Sequence, residues 1–349
     1  MKKRLLVVLG LAMMLGLTAC GGKEETKEET KETIAVVTET EADDRPALAE
    51  GQMYSYLTGE VVSEEVGTQR PFAIMINNID EALPQGGICQ AEIVYECLVE
   101  ANITRLLGVF QDLDGIERIG SVRSARHYYM DLAQDEDAIF THYGQSIFAE
   151  DRINQGYQTI SGLSGYSEAV FYRTSDRVAP HNVFTTKDGL LAGLDYTGLT
   201  REYSEGYDGR LNFYVEETTP EGDDANTVTM PFYYANPWFE YNEEESLYYR
   251  YQYGGAHVDD QGEQLKFENL VIQYAARSVI SDEDHQDFAL IGEGEGLIIT
   301  NGKAVKIHWK RPTEADHTTY YYEDGSLARL NCGKSYIAVV PTETPVVIE

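Results

Sequence analysis

Two arginines three positions apart, Arg123 and Arg126, stand in the stretch 119–131 (IGSVRSARHYYMD), with Ser121 and Ser124 beside them. The chain carries 27 Lys and Arg against 59 Asp and Glu, so a close pair of guanidinium groups is conspicuous. Residues at i and i+3 share a helix face. Guanidiniums, serine hydroxyls and free backbone amides at a helix start together make a receptor for a carboxylate or a phosphate. The competing reading makes the same arginines buried partners of local glutamates. Further along, His142 ends a strand-like run, the position where α/β sheets present ligand-binding groups. Arg173 and Arg177 are four apart, and His181 and Asn182 follow Pro180. Arg123, Arg126, His142, Arg173 and His181, with Ser124 and Asn182 as neutral partners, are therefore the expected ligand-binding set, a local anion sink in an acidic chain.

Other chemistry from the same residues is less well supported. Ser124 with His142, oriented by Glu96 or Glu100, would supply nucleophile, base and orienter for a hydrolase or transferase, but no G-x-S-x-G elbow is present. Two histidines with Asp176 have zinc-ligand chemistry, and the surrounding arginines oppose a cation. No metal and no cofactor is expected.

The elements that would position these groups begin with residues 71–77 (PFAIMIN), an apolar run read as a buried strand. Residues 91–111 (AEIVYECLVEANITRLLGVFQ) alternate with strand periodicity, with Ala101 and Asn102 as a hairpin turn. That hairpin would bring Glu96 and Glu100 near Arg105, a cross-strand ion-pairing arrangement. Residues 128–133 read as a helix, 138–144 as a strand emptying into a glycine turn, and 146–155 as another helix. A third helix spans 186–194, with Thr185 or Thr186 as its cap. Beyond a Gly-, Asp- and Thr-rich segment (203–226) the chain reads as β throughout. Strands are expected at 228–235, 237–241, 247–253, 270–275, 304–310, 319–322, 327–330 and 335–340, and Asn301-Gly302 is a hairpin signal. The 25 tyrosines suit sugar stacking, and cross-strand aromatic pairing accounts for them with fewer assumptions. Trp309-Lys310-Arg311 is a local basic-aromatic cluster that would meet the first domain or a ligand.

The amino terminus sets the compartment. Lys2, Lys3 and Arg4 precede a thirteen-residue apolar run, 5–17. A bilayer-spanning helix needs about 20 residues, so the run fits the core of a secretory signal. It ends in Leu17-Thr18-Ala19-Cys20, a lipobox that predicts cleavage of residues 1–19 and acylation of Cys20. The acidic, Lys-Glu-Glu-Thr-repeating stretch that follows is expected to be a disordered tether over 20–50. An α/β domain over 51–202, a linker over 203–226 and a β-rich domain over 227–349 complete the expected organisation. The expected protein is lipid-anchored and extracytoplasmic, with the membrane and an anionic cell-wall ligand or envelope protein as partners. A net charge of −32 argues against non-specific nucleic-acid binding. Cys89, Cys97 and Cys332 show no metal or redox spacing; a Cys89–Cys97 bridge is conceivable in this compartment, and free thiols are expected.

The blocks RPFAIMINN, AEIVYECLVEANITRLLGVFQ, IGSVRSAR, THYG, FYR and APHN occur in this order and resemble the YerB-like lipoproteins of the DUF3048 family. The resemblance covers nearly the whole chain after the tether. It implies a lipid-anchored extracytoplasmic protein with a mixed α/β amino-terminal domain and a second domain behind it, and it brings no catalytic assignment. His127 stands where a proline is common in the family pattern, which favours an uninterrupted helix here. Three functions are thus in contention: an anion-binding envelope protein, an envelope hydrolase or transferase using Ser124 and His142, and a non-catalytic scaffold whose arginines are struts. Pairing of Arg123 and Arg126 with Glu96 and Glu100 would favour the strut; unpaired guanidiniums would favour binding.

Overall fold

The computed structural model describes residues 45–349. The expected signal peptide, Cys20 and the expected tether as far as residue 44 lie outside the described residues.

The apolar runs form strands because their side chains are buried on both faces. β1 (Phe72–Asn77), β2 (Ile93–Leu98) and β3 (Thr104–Phe110) are buried at every position, and β2 and β3 are joined by the expected tight turn. That turn places Ala101 and Asn102 at positive φ. α1 (His127–Asp135) leads to β4 (Ile139–His142), α2 (Ile147–Asn154) and β5 (Ile160–Ser161). A small hairpin of β6 (Phe171–Arg173) and β7 (Val183–Thr185) follows, then α3 (Lys187–Thr197). The Thr186 hydroxyl caps α3 by accepting from the Gly189 amide, and Gly198 ends it at φ 73, a left-handed position that glycine adopts without penalty.

The second half is mainly β: β8 (Thr227–Thr229), β9 (Trp238–Asn242), β10 (Leu247–Gln252), β11 (Asn269–Ala275), β12 (Gly292–Thr300), β13 (Lys303–Arg311) and β14 (Ser335–Pro341). A mixed α/β amino-terminal half followed by a mainly-β half is the expected fold class. The halves share a sheet. Its order runs from the short strand Asp223–Asp224 through β13, β12, β11, β14, β2, β3, β1 and β4 to β5, with Thr319–Tyr322 beside β13. β14 lies parallel to β2, Ile337 opposite Tyr95. The expected linker therefore does not divide two separate sheets, and it carries short strands of its own at Asn212–Phe213 and Asp223–Asp224. A sequence pattern marks each strand but not its neighbour, so this pairing was out of reach of periodicity.

Buried polar networks reinforce the seam. Glu96 on β2 accepts from Thr104, Asn78, Tyr336 on β14 and Arg250 on β10, at 2.6 to 3.0 Å. Arg311 of the basic-aromatic cluster reaches α1, donating to the Asp131 carbonyl and facing Asp135. All three described cysteines are free. Among the described residues, no helix is long and apolar enough to cross a membrane.

Candidate anion site at the carboxyl ends of the central strands

β1 and β4 run parallel only as far as Ile74 and Thr141. Beyond that point residues 121–125 fill the gap between them. The Arg123 amide donates to the Met75 carbonyl, the Tyr143 amide to the Arg123 carbonyl, and the Ala125 amide to the Gly144 carbonyl, each at 2.9 Å. The stretch is thus held as extended backbone. This corrects the expected helix start: α1 begins at His127, and Arg126 is its extended cap residue at φ −124. Arg123 and Arg126 do not share a helix face, because the open strand edges bind this backbone before the helix begins.

Three guanidiniums converge here. Arg105 projects from β3, buried and 5% exposed, and donates to the Ser124 carbonyl. Burial, then the nearby Arg126 and Arg123 charges, push its pKa down, although a guanidinium stays protonated. Arg126 grips Glu100 with two prongs, Nε–Oε1 at 2.6 Å and Nη2–Oε2 at 2.5 Å. Glu96 takes Arg250 instead. Arg123, half-buried, has no carboxylate partner among the described residues, and its Nε is buried without a hydrogen bond. Burial and Arg126 lower its pKa as well. The Ser121 hydroxyl is fully buried and also unpartnered among the described residues.

His181 stands beside them. Its Nδ1 lies 2.9 Å from Asn77 Nδ2; since an amide nitrogen only donates, Nδ1 accepts and Nε2 carries the proton. Burial, then the Arg123 charge, lower its pKa, and Glu81 opposes them. His181 also lines a groove of about 610 Å³ with Glu81, Leu83, Pro84, Asp176 and Arg177. Arg177 itself is tied to the Ala82 and Pro84 carbonyls.

The remaining expected residues do other things. His142 is buried within β4, both ring nitrogens occupied: Nδ1–H donates to the Gly144 carbonyl at 2.7 Å, and Nε2 accepts from Thr159 Oγ1 at 3.0 Å. Burial pushes its pKa down to about 4, and among the described residues its ring is hydrogen-bonded to Gly144 and Thr159 and not to Ser124. Arg173 is exposed, donates to Asn182 Oδ1 at 2.8 Å and lies over the Tyr143 ring; Asn182 in turn donates to the Thr174 carbonyl. That pair closes the β6–β7 hairpin, and among the described residues no hydrogen bond or ion pair joins it to the arginine group. Ser124 contributes its carbonyl to Arg105, and its hydroxyl packs against Gly144. At φ 93 Gly144 has no room for a Cβ, which would lie 2.6 Å from Ser124 Oγ. Arg105 and Asn77 were outside the expected set. The available signal for Arg105 was a lone arginine in the apolar strand TRLLGVF. Among the described residues no group of three His, Cys, Asp or Glu could hold a metal.

A mixed sheet shared by an α/β half and a β half, with an arginine-lined loop at the central strand ends, defines the class of protein. The chain belongs to the DUF3048 family. The profile described as "Protein of unknown function (DUF3048) N-terminal domain" matches residues 57–200, and that of the DUF3048 C-terminal domain matches residues 228–337. The chain is 28% identical over 290 residues to the "Putative lipoprotein YerB" of Bacillus subtilis strain 168, covering 82% of this chain and 85% of that protein. The crystal structure of the Bacillus subtilis YerB protein superposes with a TM-score of 0.74 at 27% identity, over 85% of this chain and 99% of that one.

Proposed function

We propose that this protein is a lipid-anchored, extracytoplasmic receptor for an anionic envelope ligand, phosphorylated or carboxylated, held by Arg123 with Arg105, Ser121 and His181. One observation carries the reading. Three guanidiniums lie close to one another, Arg126 takes the Glu100 carboxylate, and Arg123 has no carboxylate partner among the described residues of a net-acidic protein. A partly buried guanidinium without a counter-charge carries a desolvation cost, which a bound anion would offset. Arg126 and Glu100 form the strut beside which Arg123 stands, and the Ser124 carbonyl steadies Arg105. The anchor rests on the lipobox at Cys20 and on the name of the Bacillus subtilis relative.

Thermal shifts with phosphate, citrate and muropeptides test the site. Arg123→Ala abolishes the ligand-induced shifts; shifts that survive in this variant would refute it. For the anchor, Cys20→Ala moves the protein from the membrane fraction to the soluble one, and unchanged membrane association would sink the lipid assignment.

A further inference from the structure

β8, β9 and β10 belong to a separate sheet, and its outer face carries a feature that the anion site does not use. β9 and β10 pair antiparallel, Trp238 opposite Tyr251 and Glu240 opposite Tyr249. Alternation sends Phe239, Tyr248 and Arg250 into the core, where each is fully buried. It leaves Trp238, Glu240, Tyr249 and Tyr251 on the opposite face. Trp238 and Tyr251 stack with centroids 5.0 Å apart and planes at 12°, and both remain partly open to solvent. Glu240 accepts from the indole N–H at 2.9 Å. A shallow groove of about 590 Å³ opens here, lined by Tyr249, Tyr251, Glu240, Asn242, Glu243 and Gln264 among others.

Cross-strand stacking alone explains why the rings meet, but not why Tyr251, stacked on Trp238, and Tyr249 beside it line a groove rich in hydrogen-bond acceptors. From this juxtaposition we infer that the β9–β10 face is a binding site for a neutral β-linked oligosaccharide. Such a chain with equatorial hydroxyls presents an apolar C–H face to aromatic planes, which offer large, rigid contact area. Its rim consists of hydroxyl donors, complementary to the carboxylates and amides of the groove; hydrogen bonds to charged acceptors are the stronger kind. The same carboxylates repel uronate- or phosphate-bearing polymers. Lys266, placed 5.2 Å over the Tyr249 ring, already occupies the cation position on that ring, which disfavours a polycationic occupant.

The chain's two tryptophans make the test direct. Trp309 is 2% exposed, so acrylamide quenching of the full chain reports on Trp238. Saturating chitohexaose or cellohexaose is expected to lower the quenching constant at least twofold. Tyr249→Ala weakens the apparent affinity about tenfold with an unchanged circular dichroism spectrum. Trp238→Phe removes the ligand-dependent change, and Arg123→Ala leaves it intact. The inference is overturned if millimolar neutral oligosaccharides leave quenching unaltered, if hexalysine alone protects Trp238, or if oligogalacturonate protects it equally well.

Discussion

At the scale of single residues, the two arginines that looked alike in sequence differ. Arg126 is bound to Glu100, and both side chains are largely shielded. Removing one partner of a shielded pair leaves the other uncompensated, so Arg126→Ala should cost about 2–3 kcal/mol, below the full range for deeply buried pairs; urea unfolding measures it. Arg123→Ala should leave the midpoint unchanged or raise it, because the lost charge has only like-charged neighbours. His142 gives a pH signature. Its folded pKa of about 4 lies below the ordinary 6.5, so the unfolded chain binds the extra proton between these values. His142 therefore contributes stability that is present above pH 6.5 and is lost as pH falls towards 4, up to about 3 kcal/mol. His142→Gln should flatten this acid-side decline in urea titrations at pH 7, 5.5 and 4.5. Residue type alone singles out Arg123, His181 and His142 as candidates, but not that His142 is buried with both ring nitrogens bonded. A histidine at a strand end reads the same whether it faces a ligand or a threonine hydroxyl.

At the scale of elements, IGSVRSARHYYMD carries serines and arginines at helical spacing, which predicts a helix start, whereas the helix begins only at His127. What overrides that spacing is tertiary: the unpaired ends of β1 and β4 accept and donate backbone hydrogen bonds to residues 121–125, as buried strand edges must. The helix boundaries set by local capping were legible, since a Ser146 or Thr186 hydroxyl acts within three residues of itself. The Glu96–Arg250 pair was not, because its members lie 154 positions apart. Glu96 is fully buried and collects four side-chain donors. Glu96→Ala should therefore destabilise by about 3–5 kcal/mol, as expected for breaking a buried ion pair. A loss under 1 kcal/mol by denaturant titration would mean that the network does not hold β2, β10 and β14 together.

At the scale of the whole molecule, β14 beside β2 makes the amino-terminal half dependent on the last strand of the chain. A fragment of residues 45–202 would expose β2 as a long apolar edge, a template for aggregation. It should fail to give a cooperative thermal transition alone, whereas two fragments each melting cooperatively would contradict the shared sheet. The composition indicated a β-rich second half and its strand positions, yet a parallel pairing across some 240 residues leaves no local trace. Excess negative charge keeps the molecular surface hostile to anions, so an anion that binds must find the arginine cluster. His181 would add a pH dependence: burial, then the Arg123 charge, lower its pKa, and a bound anion would raise it. Affinity should then rise as pH falls through the bound-state pKa and level off below the free-state one. The most direct test of the central claim is calorimetric titration of inorganic phosphate at low salt into the native chain and Arg123→Gln. The native protein should bind, and the variant should bind at least tenfold more weakly at an unchanged melting temperature. Equal affinities, or no binding of phosphate to the native chain, would contradict the assignment of Arg123 as an anion receptor.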